Sequence, residues 1–262
     1  MQFSYSALTD VGCVRTNNED MVSVDETRGL AILADGMGGY NAGEVASAIA
    51  VQRINTDLGG WLGRPEAESA DDETILRRME DYVERANRSI FELAHTRSDC
   101  AGMGTTVVLA VVRAQRLLIG HIGDSRAYRW RKGQLSQLTH DHSLLQELLD
   151  AKMITAEQAA LSGYRNLVTR ALGVDDTVQL ETAAHDLQGG DVILLCSDGL
   201  SEMVSAADIA AVLQQPASAA ERAQELIDLA KAAGGRDNVS VILIEADGSQ
   251  EKSGLLGKLR RK

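Results

Sequence analysis

The stretch TTVVLAVVRAQRLLIGHIGDSRAYRWRKGQLSQL, residues 105–138, decides the fold class. It holds four short runs, most of them rich in Val, Ile and Leu and each bounded by turn residues, which is typical of β-strands. The breaks between the runs are too short for helical crossovers, so we expect the four strands to pair antiparallel as a meander. Further runs of the same kind lie at 30–34, 192–196 and 239–244.

Helical patterns lie on both sides of this stretch. Apolar residues recur at intervals of three and four over 75–93, which predicts one long amphipathic helix. Ser218 and Glu221 form a capping box that predicts the start of another helix. Helices at 42–58 and 71–97, followed by a block of strands, favour an α+β fold over a doubly wound parallel sheet.

The domain organisation is simple. The chain has 262 residues and no low-complexity linker before about residue 246, so we predict one globular domain over 1–245. An excursion between strands at about 141–173 is expected to form a flap-like insert that selects the substrate. Residues 246–262 are polar and basic and predict a disordered C-terminal tail, the alternative being a small basic contact for an anionic surface.

Composition excludes several classes of protein. The net charge of −12 disfavours nucleic-acid binding, because a phosphate backbone would be repelled. No apolar run approaches the ~20 residues that span a bilayer, and the N-terminus lacks the regions of a secretory signal. We therefore expect a cytoplasmic protein with no integral membrane segment. The three cysteines are far apart and predict neither a disulfide framework nor a metal clip.

Acidic residues recur where the predicted strands end. A single Asp-Gly after a strand is an ordinary turn signal. Several aspartates at the ends of apolar strands would, however, repel one another unless cations neutralise them, and Mg²⁺ or Mn²⁺ take oxygen ligands. The clusters are NNED at 17–20, ADGMGG at 34–39, GDSR at 123–126, SDG at 197–199 and RDN at 236–238.

This pattern predicts phosphate-ester hydrolysis at a two-metal site. Two metals about 3.5–4 Å apart can share a carboxylate and a water whose lowered pKa makes it a nucleophile at neutral pH. A guanidinium fork suits phosphate oxygens, and Arg15, four residues before Glu19, is our candidate for that contact. The alternative for Arg15 is local pairing with a surface carboxylate.

The order and spacing of these motifs resemble those of the bacterial metal-dependent protein phosphatases of type 2C over residues 3–245. The resemblance implies that family's fold, a four-layer αββα sandwich in which two packed antiparallel β-sheets are flanked by helices. The motifs that carry it are VGCVRTNNED at 11–20, LADGMGG at 33–39, GHIGDSR at 120–126, CSDG at 196–199 and GRDNVS at 235–240.

The resemblance also implies a metal-binding role for the matching acidic positions. Asp35 would bridge the two metals, and the carbonyl of Gly36 would complete one of them. Asp198 and Asp237 would ligate the other. Asp124, together with Asp198, is similar to the position that holds a third, weaker metal in bacterial members.

Other matching positions would support the centre. Glu19 and Asp20 would hold metal-bound waters or orient the ligands, and Arg15 would bind the phosphate. Met37 stands where eukaryotic relatives place a histidine thought to protonate the leaving group, and Tyr40 stands where many bacterial relatives carry histidine. A water on the third metal or Tyr40 could supply the proton, and Tyr40 is otherwise a residue of the substrate-binding rim.

The function implied is that of a serine/threonine phosphoprotein phosphatase. It would use two divalent metals, Mn²⁺ or Mg²⁺, and would act as a monomer on phosphorylated proteins, opposing a serine/threonine kinase. A small-molecule phosphomonoesterase with the same site and a phosphopeptide-binding pseudophosphatase are the alternatives. The chain has no Cys-x₅-Arg, no Asp-x-Asp and no P-loop, which excludes three other phosphate-transfer chemistries.

Two histidines before the insert form an H-x-H pair. His140 and His142 could ligate zinc, but carboxylates outnumber them and suit Mg²⁺ or Mn²⁺ better. We interpret both as hinge residues of the insert. His121 lies inside a predicted strand and is expected in the core or beside the metal ligands.

Overall fold

The computed structural model describes residues 1–39, 42–160 and 167–248. In this part of the chain eleven strands form two antiparallel sheets. In chain order they are β1 (Phe3–Asp10), β2 (Asp20–Asp25), β3 (Leu30–Met37), β4 (Gly104–Thr105), β5 (Val107–Arg113), β6 (Arg116–Ile122), β7 (Arg126–Arg131), β8 (Gln134–Gln137), β9 (Glu181–Asp186), β10 (Val192–Cys196) and β11 (Val239–Ala246).

The helices lie outside the two sheets. A π-helical turn (Asn55–Gly59) extends α1, and a short 3₁₀ turn (Ser98–Cys100) follows α4. The α-helices of the described residues are α1 (Ala42–Ile54), α2 (Gly60–Leu62), α3 (Pro65–Glu68), α4 (Asp72–Thr96), α5 (Leu144–Asp150), α6 (Ala156–Ala160), α7 (Asp198–Ser201), α8 (Ala206–Gln214) and α9 (Ala219–Ala232).

Three buried apolar clusters define four layers. One sheet has the order β1-β11-β10-β7-β8, and the other has the order β2-β3-β5-β6-β9 with β4 paired to β3. Alternate residues of β3 face opposite sides, as a strand requires: Ile32 packs with helices α1 and α4, while Leu33 packs against the other sheet. Helices α8 and α9 cover the outer face of the first sheet. The αββα sandwich predicted from the sequence is confirmed.

The predicted meander over 105–138 is wrong. β5 pairs with β6 in one sheet, whereas β7 pairs with β8 in the other. The chain changes sheet at the turn 123–125, where Gly123 has φ +101° and its missing side chain leaves room for Thr106. The neighbouring position beside β6 is taken by β9 instead. Short breaks between strands indicate proximity, but they do not distinguish a hairpin from a change of sheet.

The helix predictions are confirmed. α4 covers the predicted 75–93 and is longer at both ends, and Ser218 and Glu221 form the expected reciprocal capping box at the start of α9. None of the helices in the described residues is long and apolar enough to cross a membrane.

Backbone pairing marks the base of the insert and the last described residues of the chain. The base of the insert is a bridge between Ser143 and Val168, and α5 and α6 lie beyond it. β11 continues to Ala246, and the Asp247 N–H donates to the Gln2 carbonyl, so backbone pairing extends past residue 245. Most of the predicted tail, residues 249–262, lies outside the described residues. The division at residue 245 stays a prediction.

Candidate metal centre

The acidic clusters meet at one end of the sandwich. β2 starts at Asp20 and pairs with β3 so that Asp20 lies opposite Asp35. Asp124 follows β6, Asp198 follows β10 as the first residue of α7, and Asp237 precedes β11. Cys196 of β10 pairs with both Arg126 and Val241, which brings these strand ends to the same edge.

A serine connects the carboxylates of the two sheets. The Ser197 hydroxyl donates to Asp20 Oδ2 at 2.9 Å and accepts the Ser240 N–H at 3.0 Å. Asp20 lies in one sheet, whereas Ser197 and Ser240 lie at the strand ends of the other. This chain of hydrogen bonds therefore fixes the spacing of the sheets at the site.

A threonine connects Asp35 to the turn that carries Asp124. The hydroxyl of Thr106 accepts the Asp35 N–H at 3.1 Å and lies 2.8 Å from the Ser125 hydroxyl. The Thr106 N–H donates to the Asp35 carbonyl at 2.9 Å. Both Thr106 and Ser125 are buried. The backbone around Asp35 is thus held in place from two directions.

Asn238 fastens the loop that carries Arg15 and Glu19. Its Oδ1 accepts the Glu19 N–H at 2.8 Å, and its Nδ2 donates to the carbonyls of Val11 and Asn17 at 3.0 and 2.9 Å. The side chain is buried, and each of its polar atoms has a partner. Asn238 therefore sets the position of the 11–19 loop relative to the start of β11.

Arg15 lies on that loop and is half exposed. Its guanidinium pairs with Asp237 Oδ2 at 2.7 Å. The other oxygen, Oδ1, accepts the Asn238 N–H at 2.8 Å. The predicted phosphate ligand thus pairs with one of the predicted metal ligands, the local pairing that the sequence left open.

Glycine is required at position 36 because backbone packs against it. A Cβ there would lie 2.2 Å from the Gly43 carbonyl oxygen of α1 and 2.6 Å from the Glu19 carbonyl oxygen. The Gly36 N–H donates to the same Glu19 carbonyl at 3.1 Å, and Ser47 of α1 donates to it at 2.6 Å. The glycines let β3, α1 and the Glu19 loop approach closely.

Burial and mutual repulsion dominate the electrostatics of the carboxylates. Burial raises the pKa of Asp124 to about 7, and the charge of Asp198 adds to the effect. Burial also raises the pKa of Asp20 to about 7, although hydroxyls of Ser240 and Ser197 act in the opposite direction.

Asp35 has the most crowded surroundings. Its pKa is raised well above the ordinary range by burial and then by the charges of Asp20, Asp198, Asp124 and Asp237. Burial, followed by the charge of Asp237, also raises the pKa of Asp198. A site that keeps several acids close together against their own repulsion is built to hold positive charge.

The donor set fits hard divalent cations. In the described part of the chain, Asp20 Oδ1 is buried and has no hydrogen-bond partner, which is costly unless something else neutralises it. The other side chains that converge here also offer carboxylate oxygens, the ligands preferred by Mg²⁺ and Mn²⁺. The geometry is therefore compatible with the metal centre that the motifs predict.

Comparison with known proteins identifies the family. A model of the Protein phosphatase 2C family matches residues 14–232. The chain belongs to the protein phosphatase 2C family. The serine/threonine phosphatase stp of Listeria monocytogenes is 38% identical over 247 residues, which cover 93% of this chain and 96% of that protein.

Solved structures agree with this family assignment. The serine/threonine phosphatase of S. agalactiae superposes with a TM-score of 0.86 and is 38% identical, covering 94% of this chain and all of that one. The catalytic domain of the phosphatase PstP, solved in complex with two manganese ions, has a TM-score of 0.82 and 38% identity. That match covers 94% of this chain and 99% of that domain.

Sequence motifs located the acids that meet here but missed the side chains that hold them in place. Ser197 and Thr106 each join two of the acidic segments, and Ser47 joins the 17–20 segment to α1. Nothing in the sequence distinguishes these three from ordinary polar residues. Asn238 belongs to the RDN motif, but nothing in the sequence predicts its contacts with the 11–19 loop. The predicted substrate contact Tyr40 lies outside the described residues.

Proposed function

We propose that the buried carboxylates hold two divalent cations, and that Arg15 binds the phosphoryl group of a phosphoserine or phosphothreonine during its hydrolysis. As a member of the family, the chain is a metal-dependent serine/threonine phosphoprotein phosphatase. The observation that carries the assignment of the site is the convergence of Asp20, Asp35, Asp124 and Asp198, with raised pKa values, at one end of the sandwich.

The cations are Mn²⁺ or Mg²⁺. Manganese in the related PstP domain supports this choice, as does the all-oxygen donor set. When bound, such ions supply positive charge beside the phosphoryl oxygens and lower the pKa of water to near neutrality. Asp35, the Gly36 carbonyl, Asp198 and Asp237 would hold the pair, and Asp124 would share a third, weaker site with Asp198.

The surrounding residues orient these ligands. Glu19 lies on the loop fastened by Asn238, and the Asp20 carboxylate is held by Ser197. Arg15 is paired with Asp237 in this structure. A phosphate group beside the cations would offer the guanidinium two acceptor oxygens in place of one carboxylate oxygen. Arg15 would then exchange partners when substrate binds.

Met37 cannot act as the proton donor. A thioether has no acidic proton. The Met37 methyl carbon lies beside Gly104, 2.9 Å from the point where a Cβ of that residue would stand. Tyr40 remains our prediction for a contact at the substrate-binding rim.

A cleft beside the acids supports substrate selection by the insert. The cleft has a volume of about 350 Å³, and its lining includes Asp124 and Asp198 together with Leu145, Gln146 and Leu149 of α5. A peptide whose phosphoryl group lies at the carboxylates would extend along α5. We propose phosphoproteins of a serine/threonine kinase pathway as substrates, and a monomeric enzyme in the cytoplasm.

The test is hydrolysis of phosphothreonine peptides and of p-nitrophenyl phosphate with Mn²⁺, Mg²⁺ or EDTA. Wild type should be active with either metal and inactive in EDTA. Asp198→Ala should lose nearly all activity, whereas Asp228→Ala, an exposed aspartate on α9, should not. Activity that persists in EDTA or in Asp198→Ala would disprove the metal mechanism.

The same assay separates the alternatives. A small-molecule phosphomonoesterase would hydrolyse p-nitrophenyl phosphate but turn over phosphopeptides no faster than unrelated phosphate esters. A pseudophosphatase would bind a phosphopeptide, measured by fluorescence anisotropy, without hydrolysing it under any metal condition.

A further inference from the structure

The first residues of the insert are attached to the turn that carries Asp124. The His142 N–H donates to the Gly123 carbonyl at 2.9 Å, and the Gly123 N–H donates to His142 Nδ1 at 3.2 Å. The histidine is 6% exposed. Two hydrogen bonds therefore join the backbone beside Asp124 to a single residue of the insert.

These contacts determine the tautomer of His142. A backbone N–H can only donate, so Nδ1 must offer its lone pair to Gly123 and the ring proton resides on Nε2. Nε2 lies 3.2 Å from Glu181 Oε2 on β9 and donates to it. The ring also stacks on His121, with centroids 4.8 Å apart and planes at 17°. Glu181 thus favours the tautomer that Gly123 needs.

The same three side chains resemble a metal site, but their hydrogen bonds indicate another role. The ligand atoms of His121, His142 and Glu181 lie within 4.8 Å of one another. A metal would need a lone pair on His142 Nε2, the nitrogen that carries the proton while Nδ1 accepts from Gly123. His121 Nε2 is itself engaged by the His140 carbonyl at 2.7 Å. The cluster is a hydrogen-bonded junction.

The junction continues into the base of the insert on both sides of His142. Asp141 is buried and takes a bidentate contact from Arg126 of β7 at 2.6–2.9 Å. The His142 carbonyl accepts the Thr169 N–H at 2.9 Å from the returning chain of the insert. Asp124 and the insert therefore belong to one connected unit, and both line the same cleft.

We infer that His142 is a positioning residue that fixes the backbone beside Asp124 relative to the substrate-selecting insert. The inference rests on the proposed function in so far as Asp124 is a metal ligand and the insert contacts substrate. The attachment of the Gly123 N–H to His142 can be measured without either assumption. Loss of this acceptor would free the turn and weaken binding at the Asp124 site.

Two amide variants distinguish the contact of Nδ1 with Gly123 from the contact of Nε2 with Glu181. In His142→Asn the side-chain oxygen lies near the position of Nδ1 and can still accept from Gly123. In His142→Gln the amide reaches toward Glu181 and leaves the Gly123 N–H without its acceptor. His140→Ala, which removes the exposed partner of Asp150 from the same H-x-H pair, is the matched control.

The first measurement is hydrogen exchange of the Gly123 amide, followed by NMR or mass spectrometry. We expect exchange in His142→Gln to be faster by up to about tenfold, the effect of one lost hydrogen bond, with near wild-type rates in His142→Asn and His140→Ala. The second measurement is the Mn²⁺ concentration for half-maximal phosphopeptide hydrolysis. It should rise severalfold in His142→Gln alone, with kcat at saturating Mn²⁺ largely retained.

Three outcomes would overturn the inference. Equal exchange at Gly123 in wild type and His142→Gln would show that His142 does not hold the turn. Identical behaviour of the Asn and Gln variants would mean that ring packing matters and the acceptor does not. Stoichiometric Zn²⁺ binding lost in both variants would make the cluster a metal site. An inactive wild type with the expected exchange pattern would refute the proposed function and leave the attachment intact.

Discussion

Arg15 interacts with Asp237 in this structure, yet its proposed task is to bind phosphate. We predict that Arg15→Ala lowers kcat/KM for phosphopeptides about 10- to 100-fold, the cost of charge-assisted hydrogen bonds to the substrate. Most of the loss should appear in KM. Arg15→Lys should be intermediate, because an ammonium keeps the charge but not the planar fork.

Metal titration distinguishes this role from metal binding. Removal of the guanidinium frees Asp237 Oδ2, so Mn²⁺ affinity measured by calorimetry should be unchanged or higher in Arg15→Ala. A large fall in Mn²⁺ affinity would contradict the role of Arg15 as a phosphate ligand and make it part of the support of the metal site.

Asn238 allows a second prediction at the scale of one residue. Asn238→Asp keeps the shape but points an oxygen at the carbonyls of Val11 and Asn17, where the amide donates. We expect the metal-free protein to lose about 2–4 kcal/mol of unfolding free energy, measured by urea denaturation. Asn238→Ala, which removes the contacts without adding repulsion, should lose less. An unchanged unfolding free energy in Asn238→Asp would mean that other contacts hold the 11–19 loop.

Single residues also show the limit of sequence analysis at this scale. Asp35, Asp124, Asp198 and Asp237 could be located because an acid beside glycine or asparagine at a strand end is a local pattern. The role of the Ser197 hydroxyl could not be predicted in this way, because its hydrogen-bond partner Asp20 is 177 positions away in the chain. Which distant polar groups meet is decided by the packing of the two sheets, and no local pattern encodes it.

At the scale of elements, the contact between β3 and α1 depends on glycine. Gly36→Ala would place a methyl group 2.2 Å from a backbone oxygen, so β3 and α1 must separate. We predict a loss of roughly 3 kcal/mol or more of stability, and loss of activity, since overpacking against backbone cannot relax by side-chain rotation. Gly39 lies in the same motif, and no atom of the residues that the structure describes lies within 4 Å of its Cβ position.

Gly39→Ala is therefore the matched control and should change the unfolding free energy by less than about 0.5 kcal/mol. Thermal and chemical denaturation of the two variants measures the contrast. Similar losses in both would show that the motif is constrained as a turn and that the approach of α1 is not the cause.

The strands that the sequence did not predict share one property. β1, β2 and β9 each lie at the edge of a sheet and pair with a single neighbour. Each is partly exposed, and polar residues interrupt the apolar residues that it has, so none gives a continuous apolar run. Central strands such as β5 and β10 are buried on both faces and give continuous apolar runs. Edge strands take their conformation from the neighbour, so composition alone does not indicate them.

For the whole molecule, the carboxylates make stability depend on pH in the absence of metal. The pKa of Asp124 is raised to about 7, whereas in the unfolded chain it is about 4. Below about pH 4 the Asp124 carboxyl is neutral in both the folded and the unfolded state, so its burial as a charge does not lower the unfolding free energy. Between about pH 4 and 7 only the unfolded state ionises, so the folded state loses stability as pH rises, and above about pH 7 the loss is complete.

Asp124→Asn removes the ionisable carboxyl and with it this pH-dependent loss of stability. The difference in unfolding free energy between the variant and wild type therefore measures the contribution of Asp124. His142 and His185, whose pKa values burial lowers, are present in both proteins and cancel. In EDTA the variant should be more stable than wild type at pH 8, and the difference should shrink by a few kcal/mol toward pH 5, at about 1.4 kcal/mol per pKa unit. With Mn²⁺ the stability advantage of the variant should shrink or reverse, because the ionised Asp124 of wild type then has a cation beside it. A difference that stays constant from pH 5 to 8 would mean that the Asp124 carboxyl titrates as it does in the unfolded chain, so that neither burial nor the charge of Asp198 raises its pKa.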